Sequence, residues 1–288
     1  MKFAYIGTYP PRQCGIGTFT QNLLHSMIIH KDKSRENHEG IVVAMNDLDA
    51  TYEYTDDVKF IIRQEHQRDY IQAAKFINYS GSDICILEHE YGIFGGESGV
   101  YILPLLHRLE IPLMVTLHTV LKNPSYNEKA ILQEISKMAN KIIVMSNRAI
   151  KFLTEVFLIP SEKIALFEHG VPDLQFSQEQ TKKEFNLEGK NVLMTFGLLS
   201  RNKGIETVIR ALPAVVAKHP NIMYIILGKT HPSVIRFSGE EYRNFLRRLI
   251  KTLDLENNAF FLNEFISQKE LFKYLLELLT NKLKEKKQ

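Results

Sequence analysis

From end to end the chain alternates short apolar runs with longer amphipathic stretches, and this rhythm restricts the fold more than any single motif. The runs are Phe3–Gly7, Ile41–Met45, Val58–Ile62, Ile84–Glu88, Leu113–Leu117, Ile142–Met145 and Ile164–Phe167. Between them lie Thr18–Ile29, Tyr70–Tyr79, Val100–Leu109, Asn127–Ala139 and Ala149–Val156, each with helical spacing of its apolar residues. A run that is apolar throughout, instead of at alternate positions, suits a strand buried on both faces. Strand-then-helix repetition suits parallel pairing with helices on each side. The reading is α/β, a doubly wound parallel sheet.

After Gly170-Val171-Pro172-Asp173 a polar stretch leads into a second unit where the rhythm restarts. Strands are expected at Asn191–Phe196, Met223–Leu227 and Ala259–Leu262, and helices at Gly204–Lys218, Glu240–Leu253 and Lys269–Leu279. The expected organisation is two Rossmann-like domains, 1–175 and 190–288, joined by a linker at 176–189, with the second domain incomplete. Three parallel strands leave an apolar edge near Ala259–Leu262 uncovered, which calls for a protein partner there. The Lys-rich end, Asn281 to Gln288, reads as a solubilising tail.

Composition enters mainly to exclude. A net charge of +3 over 288 residues gives no footprint for nucleic acid. Cys14 and Cys85 have no metal-type spacing and suit a reducing compartment. The apolar start is too short for a signal peptide and meets Pro10-Pro11, and no run of about 20 apolar residues exists to span a bilayer. A cytoplasmic location is expected. Asp47-Leu48-Asp49 reads as solvated acids, and no metal site is expected.

The chemistry-bearing residues gather where strands end. Phe196-Gly197-Leu198-Leu199-Ser200-Arg201-Asn202-Lys203-Gly204 is a basic, Gly-flanked turn between a strand and a helix. That geometry favours an anion, for which Arg201 and Lys203 add cationic side chains. Tyr9 to Thr20 is a second strand-to-helix loop. There Gly15 and Gly17 allow close backbone approach and Thr18 and Thr20 can cap, although the third Gly of a dinucleotide fingerprint is absent. Glu88-His89-Glu90-Tyr91-Gly92-Ile93-Phe94-Gly95-Gly96 follows the fourth strand, and His118 ends the fifth. Open parallel sheets bind ligands at this carboxyl edge, so Glu88, Glu90, Tyr91, Gly95 and Gly96 are candidate contacts. His118 is a candidate polar or proton-handling group. His169 and Gly228 close two further strands at the same kind of edge.

Taken in order, Pro-Pro-Arg-x-Cys-Gly-Ile-Gly-Thr-Phe, Glu-His-Glu-Tyr-Gly-Ile-Phe-Gly-Gly, Thr-Leu-His-Thr, His-Gly-Val-Pro-Asp and Gly-Leu-Leu-Ser-Arg-Asn-Lys-Gly give the chain a resemblance. From Met1 to about Tyr274 it resembles the family-four glycosyltransferases of the two-Rossmann GT-B type. The resemblance implies sugar transfer from a nucleotide diphosphate sugar to a carbohydrate or other hydroxyl acceptor, with retention and without a metal. The co-substrate lies in the cleft between the domains, and no cofactor is implied. It also implies that Arg201 and Lys203 hold the diphosphate, that Gly15 and Gly17 approach donor phosphates or acceptor, and that His118 faces the transferred sugar. Two departures stand out. Leu198 occupies a position that is basic in many relatives. The family's further βα units, with a glutamate pair eight residues apart that contacts sugar and ribose, are not found after Leu275. The competing expectation is therefore an inactive truncated fragment, or half of a split transferase acting as a binding module. A sugar-nucleotide epimerase, which shares the two-Rossmann plan, is the third reading.

Overall fold

The computed structural model describes residues 1–29, 38–47, 51–170, 187–263 and 271–272, which fall into two units, Met1–Val171 and Pro172–Gln288. In the first, β1 (Lys2–Gly7), β2 (Glu39–Asn46), β3 (Val58–Arg63), β4 (Ile84–His89), β5 (Leu113–Leu117), β6 (Lys141–Val144) and β7 (Ile164–Leu166) form one parallel sheet in the order β3-β2-β1-β4-β5-β6-β7. The order reverses between β1 and β4, which opens a crevice at their carboxyl ends.

Successive β1 and β2 side chains feed opposite cores. Ala4, Ile6, Val43 and Met45 join the larger cluster with α2 (Gln67–Tyr79), α3 (Leu103–Leu106), α4 (Tyr126–Met138) and α5 (Asn147–Glu155). Phe3, Tyr5, Val42 and Ala44 join the smaller one with Leu24 of α1 (Gly15–Ile29). Burial on both faces is the physical reason the strand sequences are apolar throughout. α1 starts at Gly15, three residues before the Thr18 expected from sequence. Thr18 therefore lies inside the helix, and Thr20 bonds back to the Ile16 carbonyl at 2.9 Å, so neither caps it. The expected helix Val100–Leu109 is instead a 3-10 segment, Glu97–Ile102, running into the short α3, because Ser98 and Gly99 take left-handed backbone angles.

The second unit contains β8 (Asn191–Phe196), α6 (Ile205–Lys218), β9 (Ile222–Leu227), α7 (Pro232–Ser238), α8 (Glu241–Thr252) and β10 (Ala259–Leu262), with strand order β10-β9-β8. Its core is Leu199, Ile205, Ile209, Leu212, Tyr224, Ile226, Tyr242, Leu246 and Ile250. Among the described residues β8 pairs only with β9, so β8 and β10 are both edges. Leu193 and Phe196 on β8 stay 40% and 47% exposed. Residues 171–186, most of the expected helix Lys269–Leu279 and the charged tail lie outside the described residues, as do Leu48 and Asp49. Asp47 itself is paired with Arg12 at 2.5 Å, which pins the Pro-Pro-Arg loop to the end of β2.

Candidate functional site

In the first unit the site is built at the crevice between β1 and β4. Parallel register sets Glu88 on β4 beside Thr116 on β5, and His118 follows β5 by one residue. His118 Nε2 lies 2.8 Å from Glu88 Oε2, and the Thr116 hydroxyl donates to Glu88 Oε1 at 3.4 Å. Gly7 makes room for this carboxyl, since a Cβ there would stand 3.0 Å from the Glu88 Cβ. Glu88 is fully buried, and burial pushes its carboxyl above the ordinary range while the His118 bond pulls it back. In the tautomer with its proton on Nε2, His118 donates to Glu88 and its Nδ1 is an acceptor. Phe19 of α1 stands edge-on to both His118 and His169, at 4.9 Å and 5.3 Å between ring centroids. His118 also lines a cavity of about 180 Å³ with Leu117, Val120, Ser146, Arg148 and Phe152.

The neighbours divide by role. Glu90 accepts from the Thr119 hydroxyl at 2.5 Å and from its neighbour's amide, Tyr91 N, at 3.0 Å, and so ties the β4 and β5 ends together. His89 points to the opposite face of the sheet, wholly buried against Tyr91 and Phe94, and neither ring nitrogen has a hydrogen-bond partner among the described residues. Burial first, and then the neighbouring His118 ring whenever it is protonated, push its pKa down to about 3, so it is neutral. Tyr91 is buried with it, and its hydroxyl has no hydrogen-bond partner among the described residues. Gly95 and Gly96 face inward: a Cβ on Gly95 would meet the Gln64 carbonyl, and one on Gly96 would stand 2.6 Å from the Tyr101 ring. Their smallness serves packing against the start of α2. A Cβ on Gly17 would stand 3.3 Å from the Tyr9 backbone nitrogen, whereas one on Gly15 would meet no described atom within 4 Å. Of the glycines singled out in this unit, Gly15 alone leaves room for a guest.

In the second unit the strand ends meet through glycine. Gly228 (φ 138°) closes β9, and a Cβ there would collide with the Gly197 carbonyl. Gly197 (φ 111°) closes β8 with nothing within 4 Å of its own Cβ position. The Gly197–Gly204 loop is zipped to the turn after β9: Leu199 N donates to Lys229 O at 2.8 Å and His231 N to Leu199 O at 3.0 Å. Lys203 projects from this loop, exposed and without an ion pair among the described residues.

Arg201, equivalent to Lys203 in the sequence, is held elsewhere. Its Nη2 meets Glu241 Oε1 at 2.6 Å, and its guanidinium lies over Tyr242 and Phe245 at 5.4 Å and 5.7 Å. The start of α6 is also engaged. Ile205 N donates to the Tyr242 hydroxyl at 3.3 Å, and that hydroxyl donates to Glu206, keeping the carboxyl below the usual range. An anion at this loop therefore meets Gly197 and Lys203 first. Sequence reading singled out neither Tyr242, Glu240 nor Arg243. Glu240 and Arg243 at helical i,i+3 spacing were the available signal.

Residues 176–279 match the family model described as glycosyl transferases group 1. An uncharacterized glycosyltransferase of Methanocaldococcus jannaschii is 32% identical over 144 residues, 48% of this chain and 32% of that protein. The matched stretches span only 24% and 32% of the two curated relatives. Anabaena HepE in complex with UDP superposes with a TM-score of 0.63 at 16% identity, over 91% of this chain and 69% of that one. A UDP-GlcNAc 2-epimerase from Neisseria meningitidis, bound to UDP-GlcNAc, gives 0.56 at 11%, over 95% and 76%. At these identities the likeness is one of fold.

Proposed function

We infer that this chain, which has the fold of the GT-B glycosyltransferases and carries a glycosyl transferases group 1 segment, takes part in sugar transfer from a nucleotide diphosphate sugar to a hydroxyl acceptor. The observation that carries the reading is the Gly197–Lys203 loop inside that segment: open backbone at Gly197, free Lys203, and a carboxyl-edge position on the sheet. A diphosphate there gains a charge-assisted bond to Lys203 and, once Glu241 is displaced, to Arg201. These cations supply the leaving-group stabilisation that a divalent metal gives in other transferases, which is the basis of a metal-independent reading. In the first unit His118, oriented by buried Glu88, offers an acceptor atom to a sugar hydroxyl. Retention is carried over from the family-four resemblance. The group 1 match favours transfer over epimerisation, since the fold is shared by both.

A second reading, nucleotide binding without turnover, draws on Arg201 being tied to Glu241. Calorimetric titration with UDP, GDP and their sugars, followed by assay of donor consumption, separates the two. Expected is micromolar binding of one nucleotide. Lys203→Ala should weaken it by roughly 10- to 100-fold, the worth of one charge-assisted hydrogen bond. Binding without consumption of any donor, across an acceptor screen, supports the second reading. No heat with any nucleotide from folded protein refutes both.

A further inference from the structure

Arg243 sits in the first turn of α8, where a cation opposes the helix dipole, and it is 2% exposed. Both facts make the position unfavourable for an arginine. Three hydrogen bonds hold it, and its guanidinium also lies over the Phe261 ring at 5.7 Å. Nε donates to Glu240 Oε2 at 2.9 Å, and Nη2 donates to the Gly228 carbonyl at 3.0 Å and to the Thr230 hydroxyl oxygen at 3.2 Å. Thr230 in turn donates to Glu240 Oε2 at 2.5 Å, closing a ring of three side chains. The Thr230 hydroxyl first, and the Arg243 guanidinium with it, hold Glu240 below the ordinary carboxylate range. Nη1 is buried with no partner among the described residues, and a methionine would occupy the space without that donor.

What the ring holds is the turn after β9, and that turn holds the loop assigned above to the donor. Gly228 abuts the Gly197 carbonyl, and Lys229 and His231 clasp Leu199 from both sides. Leu199 is 1% exposed and lies between Gly197 and Lys203, so its position sets theirs. We propose that Arg243 is a positioning residue for donor binding: by locking Gly228 and Thr230 against α8 it fixes the Gly197–Lys203 loop in its phosphate-binding shape. The proposal rests on the donor reading of that loop.

The test uses the full chain with Arg243→Met, Arg243→Lys and Lys203→Ala, read by amide hydrogen exchange resolved by NMR and by UDP and GDP titration. In Arg243→Met the Leu199 and His231 amides should exchange about 10-fold faster while Tyr224, Ile225 and Ile226 on β9 keep their rates. Affinity for the bound nucleotide should fall about 10-fold, the weight of one lost hydrogen bond. Arg243→Lys, which keeps one donor for the Gly228 carbonyl, should fall between wild type and Arg243→Met in both readouts. Lys203→Ala should lose affinity without change at Leu199 or His231. Unchanged loop exchange in Arg243→Met overturns the proposal, as does equal loosening of β9, which would make Arg243 a stabiliser of the whole unit. A wild-type protein that binds neither nucleotide removes the donor reading and the positioning role with it, and Lys203→Ala identifies that case because it then changes nothing.

Discussion

Neutral His89 carries a measurable acid liability. In the fold it is wholly enclosed by apolar neighbours, with a pKa near 3, against 6.5 for an ordinary histidine. Because the folded value is depressed, the unfolded chain takes up a proton below about pH 6.5 that the folded chain refuses. Stability therefore falls as pH drops through that range and levels off only near the folded value. Each pH unit inside the window costs about 1.4 kcal/mol, so lowering the pH from about 7 to about 5 removes about 2 kcal/mol through this one side chain. His89→Phe deletes the titration and both unpartnered nitrogens and keeps an aromatic ring beside Tyr91 and Phe94. A small cost of extra volume shifts the variant's stability by a constant, so the slope with pH is the clean readout. Urea titrations followed by circular dichroism at several pH values give that slope, and maleimide trapping of the buried Cys85 assigns the first unit's transition. The variant should lose about 2 kcal/mol less than wild type between the two ends. Parallel slopes would refute the argument that enclosure keeps His89 uncharged.

Two further outcomes follow from the second unit. Glu241→Gln releases Arg201 from a pair whose side chains are 58% and 59% exposed, and such exposed pairs contribute under about 1 kcal/mol. UDP affinity by calorimetry should therefore rise about two- to five-fold, and a fall would mean that Glu241 helps the ligand instead of competing with it. Gly228→Ala meets both a strained φ and the Gly197 carbonyl, whereas Gly197→Ala meets strain in open space. The first should lower the unit's stability by at least about 2 kcal/mol and the second by about 1 kcal/mol in urea titration, and equal costs would argue against the collision.

Much of the fold was legible because burial on both faces leaves a plain mark. Ile41–Met45 or Ile84–Glu88 can hardly be anything but strands of a covered parallel sheet, and the structure has them as such. Boundaries were less legible where glycine sits inside a helix. Gly15 and Gly17 read as loop, yet both lie in α1, where Gly17 sits close against the Tyr9 backbone and a Cβ would be tight. The short helix Pro232–Ser238 is not among the elements expected from sequence, although proline is well tolerated at a helix start. In the site, His118 and Glu88 were visible separately. Their pairing depends on the β4–β5 register, which 30 residues of intervening sequence do not encode in any local pattern. Arg201 and Lys203 look alike in sequence, and what divides them is Glu241, 40 residues away. The glycines of the Gly95-Gly96 pair suggested ligand contact, and the structure turns them inward onto Gln64 and Tyr101.

The strand that leads into the loop proposed for the donor is also an edge strand among the described residues. Phe196 is half-exposed and adjoins Gly197, and the backbone of β8 offers hydrogen-bonding groups along an edge that no described strand covers. Such an edge is a template for chain-to-chain stacking. Ligand occupancy and colloidal behaviour are therefore linked through one short stretch of backbone. If a nucleotide binds Gly197–Lys203 as proposed, it holds the end of β8, and nucleotide-free protein is then expected to stack more readily at high concentration. Light scattering is thus a second witness to donor binding, independent of heat.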